Sequence, residues 1–307
     1  MRHESILVIG GSGFIGSHLV AQLAASGRRV IVPTRRLSRA RHLLVLPTVE
    51  LVEADVFDDA VLERLVRNAD AVINLVGVLH SRSGAAGASW GPQFERAHVA
   101  LPRKLVRACQ AAGNRRCLHM SALGADLHAP SMYLRSKAAG EKIMLDAAGL
   151  DVTVFRPSVV FGAEDAFLNL FAKLQRFMPV LALGGVDAKF QPVYVKDVAR
   201  AFVLALEDQS SIGKIFELVG PHVYTLRELV KLAGLYSGHP RPVLGLPAPL
   251  ARLQALMLEF MPGGPLMSRD NLDSMKTDNI ASGHSPWLAG WQATPLEAVA
   301  PDYLGQQ

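Results

Sequence analysis

Cysteine is almost missing: Cys109 and Cys117 are the only two in 307 residues. They flank an expected helix-to-strand turn and offer neither a disulfide framework nor a metal-ligand spacing, so reduced thiols and no metal site are expected. No stretch reaches the roughly 18 uninterrupted apolar residues of a membrane span. The apolar run SILVIG starts at Ser5, and no signal or transit peptide is expected ahead of it. Charged residues are scarce at 19%, while half of all residues are hydrophobic, which excludes a disordered or acidic-tailed chain. The balance of 32 Lys+Arg against 27 Asp+Glu gives a net charge of +5. That is a mild attraction for nucleotides, phosphates or an acidic lipid face, and no nucleic-acid partner is expected from it. At about 150 residues per domain the length allows roughly two, which we read as one large domain and a smaller lobe in a cytoplasmic protein.

What is present is alternation. Short apolar runs, SILVIG (5–10), RVIVPT (29–34), VELVEA (49–54), AVINLV (71–76), RCLHMS (116–121) and DVTVFRP (151–157), are separated by amphipathic segments. Strands buried on both faces read this way, and repeated right-handed βα crossovers give a parallel sheet with helices on both sides. The expected fold is α/β, a Rossmann-type doubly wound parallel sheet over 1–160 with a smaller C-terminal substrate lobe, mainly 161–307, from which later segments return to the sheet. HSRSGAAGASWG (80–91) reads as a mobile loop. The stretch 243–266 joins prolines to a short helix, about Pro249 to Phe260, whose polar residues are only Arg252, Gln254 and Glu259. It reads either as a core helix or as an apolar face meeting a substrate tail, a protein complex or the inner face of a membrane.

The motif GGSGFIG places Gly10, Gly13 and Gly16 between the first strand and the helix that follows. The first glycine allows the tight turn, the second lets backbone approach a pyrophosphate, and the third lets helix pack on strand. The helix N-terminus adds N–H groups and positive potential. Where a fold that prefers NAD usually has an acidic residue for the ribose 2′-hydroxyl, this chain has Thr34, Arg35 and Arg36, then Arg39 and Arg41. Guanidinium groups suit a 2′-phosphate, so NADP(H) is favoured over NAD(H). Asp55, with Val56, follows the third strand, where a carboxylate can accept from an adenine amino group. Asn74, Leu75, Val76 and Gly77 end the fourth strand beside the expected pyrophosphate and ribose.

Tyr133 and Lys137 lie four apart on a predicted helix and so share a face. An ammonium beside a phenol lowers the phenol's pKa and lets it pass a proton to or from a substrate oxygen. The set GGSGFIG, YLRSK and RPSVVFG (156–162) resembles the extended short-chain dehydrogenase/reductase superfamily, which includes nucleotide-sugar epimerases and dehydratases. YLRSKAAGEK, FGAEDAFLNLFA, QPVYVKDVA, SRDNLDSM (268–275) and ATPLE (293–297) more closely resemble its atypical branch typified by complex I alpha-subcomplex subunit 9 and bacterial relatives. The resemblance implies that Gly10, Ser12, Gly13, Phe14, Ile15 and Gly16 cradle phosphates and that Arg35 and Arg36 meet the 2′-phosphate. It puts Tyr133 and Lys137 at the nicotinamide ribose and Pro157, Ser158 and Val159 near the ring. Superfamily enzymes place a Ser or Thr just beyond the position of Ser121, where this chain has Ala122 and Leu123. His98 stands where an Asn commonly joins the proton relay. Ser121 is therefore a candidate catalytic residue that can equally close its strand, and Glu164 with Asp165 is read as a helix cap.

Three functions follow. The first is an NADP(H)-dependent oxidoreductase for an apolar carbonyl or quinone-like substrate. The second is a non-catalytic NADPH-binding structural or assembly factor of a respiratory or quinone-related complex. The third is a nucleotide-sugar epimerase or dehydratase, disfavoured because Val243 to Met261 supplies only Arg252 as a basic residue.

Overall fold

The computed structural model describes residues 3–82, 84, 87–260 and 267–305. The chain begins β1 (Ser5–Ile9), α1 (Phe14–Ala25), β2 (Arg29–Thr34), β3 (Val49–Glu53), α2 (Asp59–Arg67), β4 (Ala71–Asn74), α3 (Pro92–Phe94). A π-helical turn, Glu95–Ala100, runs on into α4 (Leu101–Ala112), followed by β5 (Arg116–Met120), α5 (Met132–Leu145) and β6 (Asp151–Pro157). The second half is broken into shorter pieces: β7 (Val160–Phe161), α6 (Leu168–Phe177), β8 (Leu181–Leu183), β9 (Lys189–Phe190), β10 (Val193–Tyr194) and α7 (Val195–Glu207). Then come β11 (Ile215–Leu218), β12 (Tyr224–Thr225), α8 (Leu226–Tyr236), β13 (Val243–Gly245), α9 (Ala248–Glu259), α10 (Arg269–Ser274) and α11 (Ala300–Leu304).

Seven strands form the main sheet in the order β11-β6-β5-β4-β1-β2-β3, every pair parallel. Successive side chains of a strand point to opposite faces, and β1 divides accordingly. Ile6 and Val8 enter a core with Leu19 and Leu23 of α1 and Val198 and Phe202 of α7. Leu7 and Ile9 enter the opposite core with Leu62, Leu105 and Met144 from α2, α4 and α5. The order reverses between β1 and β4, and a crevice opens there at the carboxyl ends of the strands.

Residues 195–218 return to this sheet after an excursion, α7 packing beside α1 and β11 adding the edge strand against β6. The late segment near Trp291 also returns: Trp291 is buried in the α1/α7 core, its indole N–H donates to Asp197 O at 2.8 Å, and Thr294 N donates to Asp197 Oδ2 at 2.6 Å. The remaining elements build a second core around Phe161, Phe171, Leu181, Leu226 and Leu229. In that lobe α6 packs against α8, and β13 pairs with β8. Part of the glycine- and serine-rich stretch 80–91 and the end of 243–266 fall outside the described residues. The described part of the first is fastened, Ser81 Oγ to Gln93 Oε1 at 2.8 Å and Trp90 Nε1 to Glu95 Oε2 at 2.6 Å. Among the described residues no helix is long and apolar enough to cross a membrane.

Candidate functional site

The glycine turn is built by exclusion of side chains. Gly10 has φ +84°, and a Cβ on it would stand 3.3 Å from Val76 N. A Cβ on Gly16 would come within 2.3 Å of Gly10 O, so α1 can start against the turn only with hydrogen there. Gly13 is the N-cap of α1 and offers no side-chain acceptor to the helix's first amides. Those N–H groups, with Ser12, Phe14 and Ile15 around them, are free to meet an anion.

From this turn a cavity of about 500 Å³ runs along the strand ends. Gly10, Ser12 and Val76 line one end, and Arg35, Arg36 and Arg39 the other. The Thr34 hydroxyl donates to Arg36 O at 3.2 Å and shapes the turn that carries these arginines. Among the described residues none of the three has a carboxylate partner. Asp55 Oδ1 accepts from Phe57 N at 3.1 Å and its Oδ2 pairs with Arg96 of the π turn at 3.6 Å, which holds the carboxylate in place. Its neighbours Val56 and Phe57 line the cavity.

Beyond the turn, the ends of β4, β5 and β6 converge on α5. Leu75 N donates to Ile9 O at 2.9 Å and Val76 N to Asn74 Oδ1 at 3.1 Å, which holds the backbone leading to Gly77. A Cβ on Gly77 would lie 3.1 Å from Lys137 Nζ, which shows how closely the lysine approaches that backbone. Lys137 Nζ donates to Met120 O at 3.1 Å, and burial pulls it down to about 8. Ser121 is buried beside it, its N bonded to Phe155 O at 2.7 Å and its hydroxyl without any partner. An orphaned buried hydroxyl calls for an explanation, and a ligand at the strand ends supplies one.

The Tyr133 ring stands edge-on to Phe94 and His98, with centroids 6.0 Å and 5.6 Å away. The expected lowering of its pKa does not appear. Burial pushes the phenol up to about 12, because the phenol loses water; the neighbouring lysine gives its own ammonium to Met120 O. His98 is fully committed. Its Nε2 accepts from Val78 N at 3.0 Å, so Nδ1 carries the proton toward Ser136 Oγ at 2.8 Å, and Ser136 Oγ donates to Tyr133 O at 2.8 Å. Burial holds it near 2. It clamps the β4 loop to α5 and has no free nitrogen for a relay. Ala122 and Leu123 are buried and bring no hydroxyl.

Pro157, Ser158 and Val159 lie at the end of β6. The Ser158 hydroxyl and Val159 N both donate to Asn279 Oδ1, at 2.6 Å and 3.1 Å, so the serine is positioned and its oxygen engaged. Asp165 caps α6: its Oδ1 accepts from Phe167 N and Leu168 N at 2.8 Å and 2.6 Å. Two residues escaped the sequence reading. Asn279 is one. The other is Asp270 of α10, whose carboxylate accepts from Met132 N at 2.7 Å and Tyr133 N at 3.0 Å at the start of α5. Asp270 lies in the quoted stretch SRDNLDSM and Asn279 in none, and bonds across 120 to 138 residues leave no period in the sequence.

Against this geometry stand the comparisons with known proteins. The NAD dependent epimerase/dehydratase family matches residues 6–219. The Arabidopsis thaliana protein NADH dehydrogenase [ubiquinone] 1 alpha subcomplex subunit 9, mitochondrial, is 36% identical over 296 residues, 91% of this chain and 71% of the relative. Ceramide reductase of Caulobacter vibrioides is 29% identical over 252 residues, 80% of this chain and 74% of the relative. The structure of UDP-glucuronic acid 4-epimerase from Bacillus cereus, in complex with UDP-glucuronic acid and NAD, superposes with a TM-score of 0.72 at 20% identity, covering 98% of this chain and 99% of that one. At that identity the likeness speaks for the fold.

Proposed function

The chain belongs to the NAD-dependent epimerase/dehydratase family, and we propose that it binds NADP(H) in preference to NAD(H) and acts as an oxidoreductase on an apolar carbonyl or quinone-like compound. One observation carries the reading: a cavity with the glycine turn at one end and, at the other, three arginines that have no carboxylate partner among the described residues. The turn and the first amides of α1 hold the diphosphate, and Arg35 and Arg36 hold the 2′-phosphate. Lys137 holds the nicotinamide ribose, Ser121 offers it a free hydroxyl, and Pro157 to Val159 lie along the ring. A bound nicotinamide supplies the hydride. Tyr133, kept protonated by burial, donates its proton to the substrate oxygen in reduction and takes one back in oxidation. The relative named ceramide reductase supports an apolar substrate.

A second reading, a bound nucleotide that never turns over, is favoured by one feature: Ala122, Leu123 and the committed His98 leave Tyr133 without a proton relay. The subunit name of the Arabidopsis relative fits it, and the α9 segment would then be the contact with a protein complex or membrane face. A nucleotide-sugar reading lacks basic residues in α9 beyond Arg252, which is paired with Asp273 at 3.2 Å.

The test is identification of the nucleotide that co-purifies, followed by titration with NADPH and NADH. Replacing Arg35 and Arg36 with Ala is expected to cut the NADPH preference by about tenfold or more. An unchanged preference removes the 2′-phosphate assignment. Single-turnover oxidation of bound NADPH against quinones and carbonyls then separates enzyme from structural factor, since persistent silence with tight binding favours the latter.

A further inference from the structure

Charge is unevenly spread in the C-terminal lobe. The stretches 166–186 and 229–258 contain no aspartate or glutamate, yet hold Lys173, Arg176, Lys231, Arg241 and Arg252. Both stretches fold into one body: α6 packs on α8, β8 pairs with β13, and Gln254 of α9 donates to Ala182 O at 2.7 Å. Between the end of α6 and the end of α8 lies a cavity of about 230 Å³ lined by Lys173, Arg176, Phe177, Ser237 and His239. Lys173 and Arg176 are exposed, three apart on α6, and neither has an acidic partner among the described residues. Arg241 donates to Gln175 O at 3.1 Å, which satisfies the last turn of α6 and adds a third cation. The His239 Nδ1 proton is taken by Ser237 O at 2.7 Å.

Large apolar side chains stand outward at the same place. Phe177 is 74% and Leu235 61% exposed, with Met178 and Val180 next in the chain. On α9 the exposed Leu250, Leu253 and Met257 continue the pattern at spacings of three and four. We infer that this basic end of α6 and its surroundings in the C-terminal lobe dock on an anionic phospholipid bilayer, with Lys173 and Arg176 at the phosphates and Phe177 entering the acyl boundary. A cation beside an outward apolar ring is the combination that an interfacial surface uses. A purely acidic surface would account for the cations and leave protruding Phe177 and Leu235 in water. The inference is independent of the cofactor reading, because none of these residues lines the nucleotide cavity.

The experiment is co-sedimentation of the full chain with vesicles of phosphatidylcholine and phosphatidylglycerol mixed two to one, beside vesicles of phosphatidylcholine alone. Binding is expected to the first only and to weaken as salt is raised. The variant K173Q/R176Q is expected to lose roughly thirtyfold in partition at about 1 kcal/mol per cation near the surface, and F177S to weaken binding at unchanged salt dependence. R67Q/K142Q, which removes the same charge from the opposite half of the chain, is expected to stay within a factor of about two of the parent. Melting temperature is measured for every variant to show that it is folded. Equal binding to both vesicle types, equal loss in the two double variants, or capture by soluble poly-glutamate with no vesicle binding each overturns the proposal, the last pointing to an acidic protein.

Discussion

Loss of water acts on several titratable groups at the strand ends at once. It raises Tyr133 to about 12, lowers Lys137 to about 8, and holds His119 near 3 and His98 near 2. A phenol pushed that high holds its proton at neutral pH and is available as a donor, though a weaker acid than an unshifted one, so Y133F is expected to cut any turnover by about 10²- to 10⁴-fold while nucleotide affinity, read by fluorescence titration, falls by far less. The two histidines set an acid limit on stability. They stay neutral in the folded chain and take up protons near pH 6.5 when it unfolds, so unfolding binds more protons as pH falls below that value. Between pH 7 and pH 5 each is expected to cost about 2 kcal/mol. Urea unfolding at the two pH values tests this: H119N, which can retain the 3.2 Å contact with Asn74, should unfold with a smaller pH dependence than the parent.

Among the elements, α5 depends on a carboxylate from far along the chain. Ser131 accepts from Leu134 N at 3.2 Å, and Asp270 takes the two amides before it. D270A is expected to cost about 0.5–2 kcal/mol and to speed hydrogen exchange at Met132 and Tyr133 ahead of the rest of α5. No local pattern announces Asp270 or Asn279, whereas β1, β2, β5 and β6 were readable to within a residue because both their faces are buried. The glycine turn was equally readable, since the left-handed backbone at Gly10 and the lack of room for a Cβ at Gly16 call for glycine at both positions. The two-residue strands β7, β9, β10 and β12 were not, being too short to show a period of two. The partners of Asp55, Phe57 N and Arg96, were not legible for a related reason: they come from the loop and from the π turn, and only the fold brings the latter near.

For the molecule as a whole, side chains from late in the sequence fasten distant segments. Asn279 holds Ser158 and Val159, Asp270 holds α5, and Asp197 holds Thr294. Trp291, 6% exposed, closes the α1/α7 core from the far end of the sequence. W291A is expected to cost about 3–5 kcal/mol, read as a shift in urea midpoint for the entire protein and not for the C-terminal lobe alone. A ribosome releases residues in order, and this arrangement conflicts with that order. The nucleotide half emerges first, yet its edge strand and its sealing indole come late. Until Trp291 leaves the exit tunnel, the greasy flank of α1 and α7 stays uncovered, so arrested nascent chains cut before that point should recruit chaperones and those cut beyond it should not.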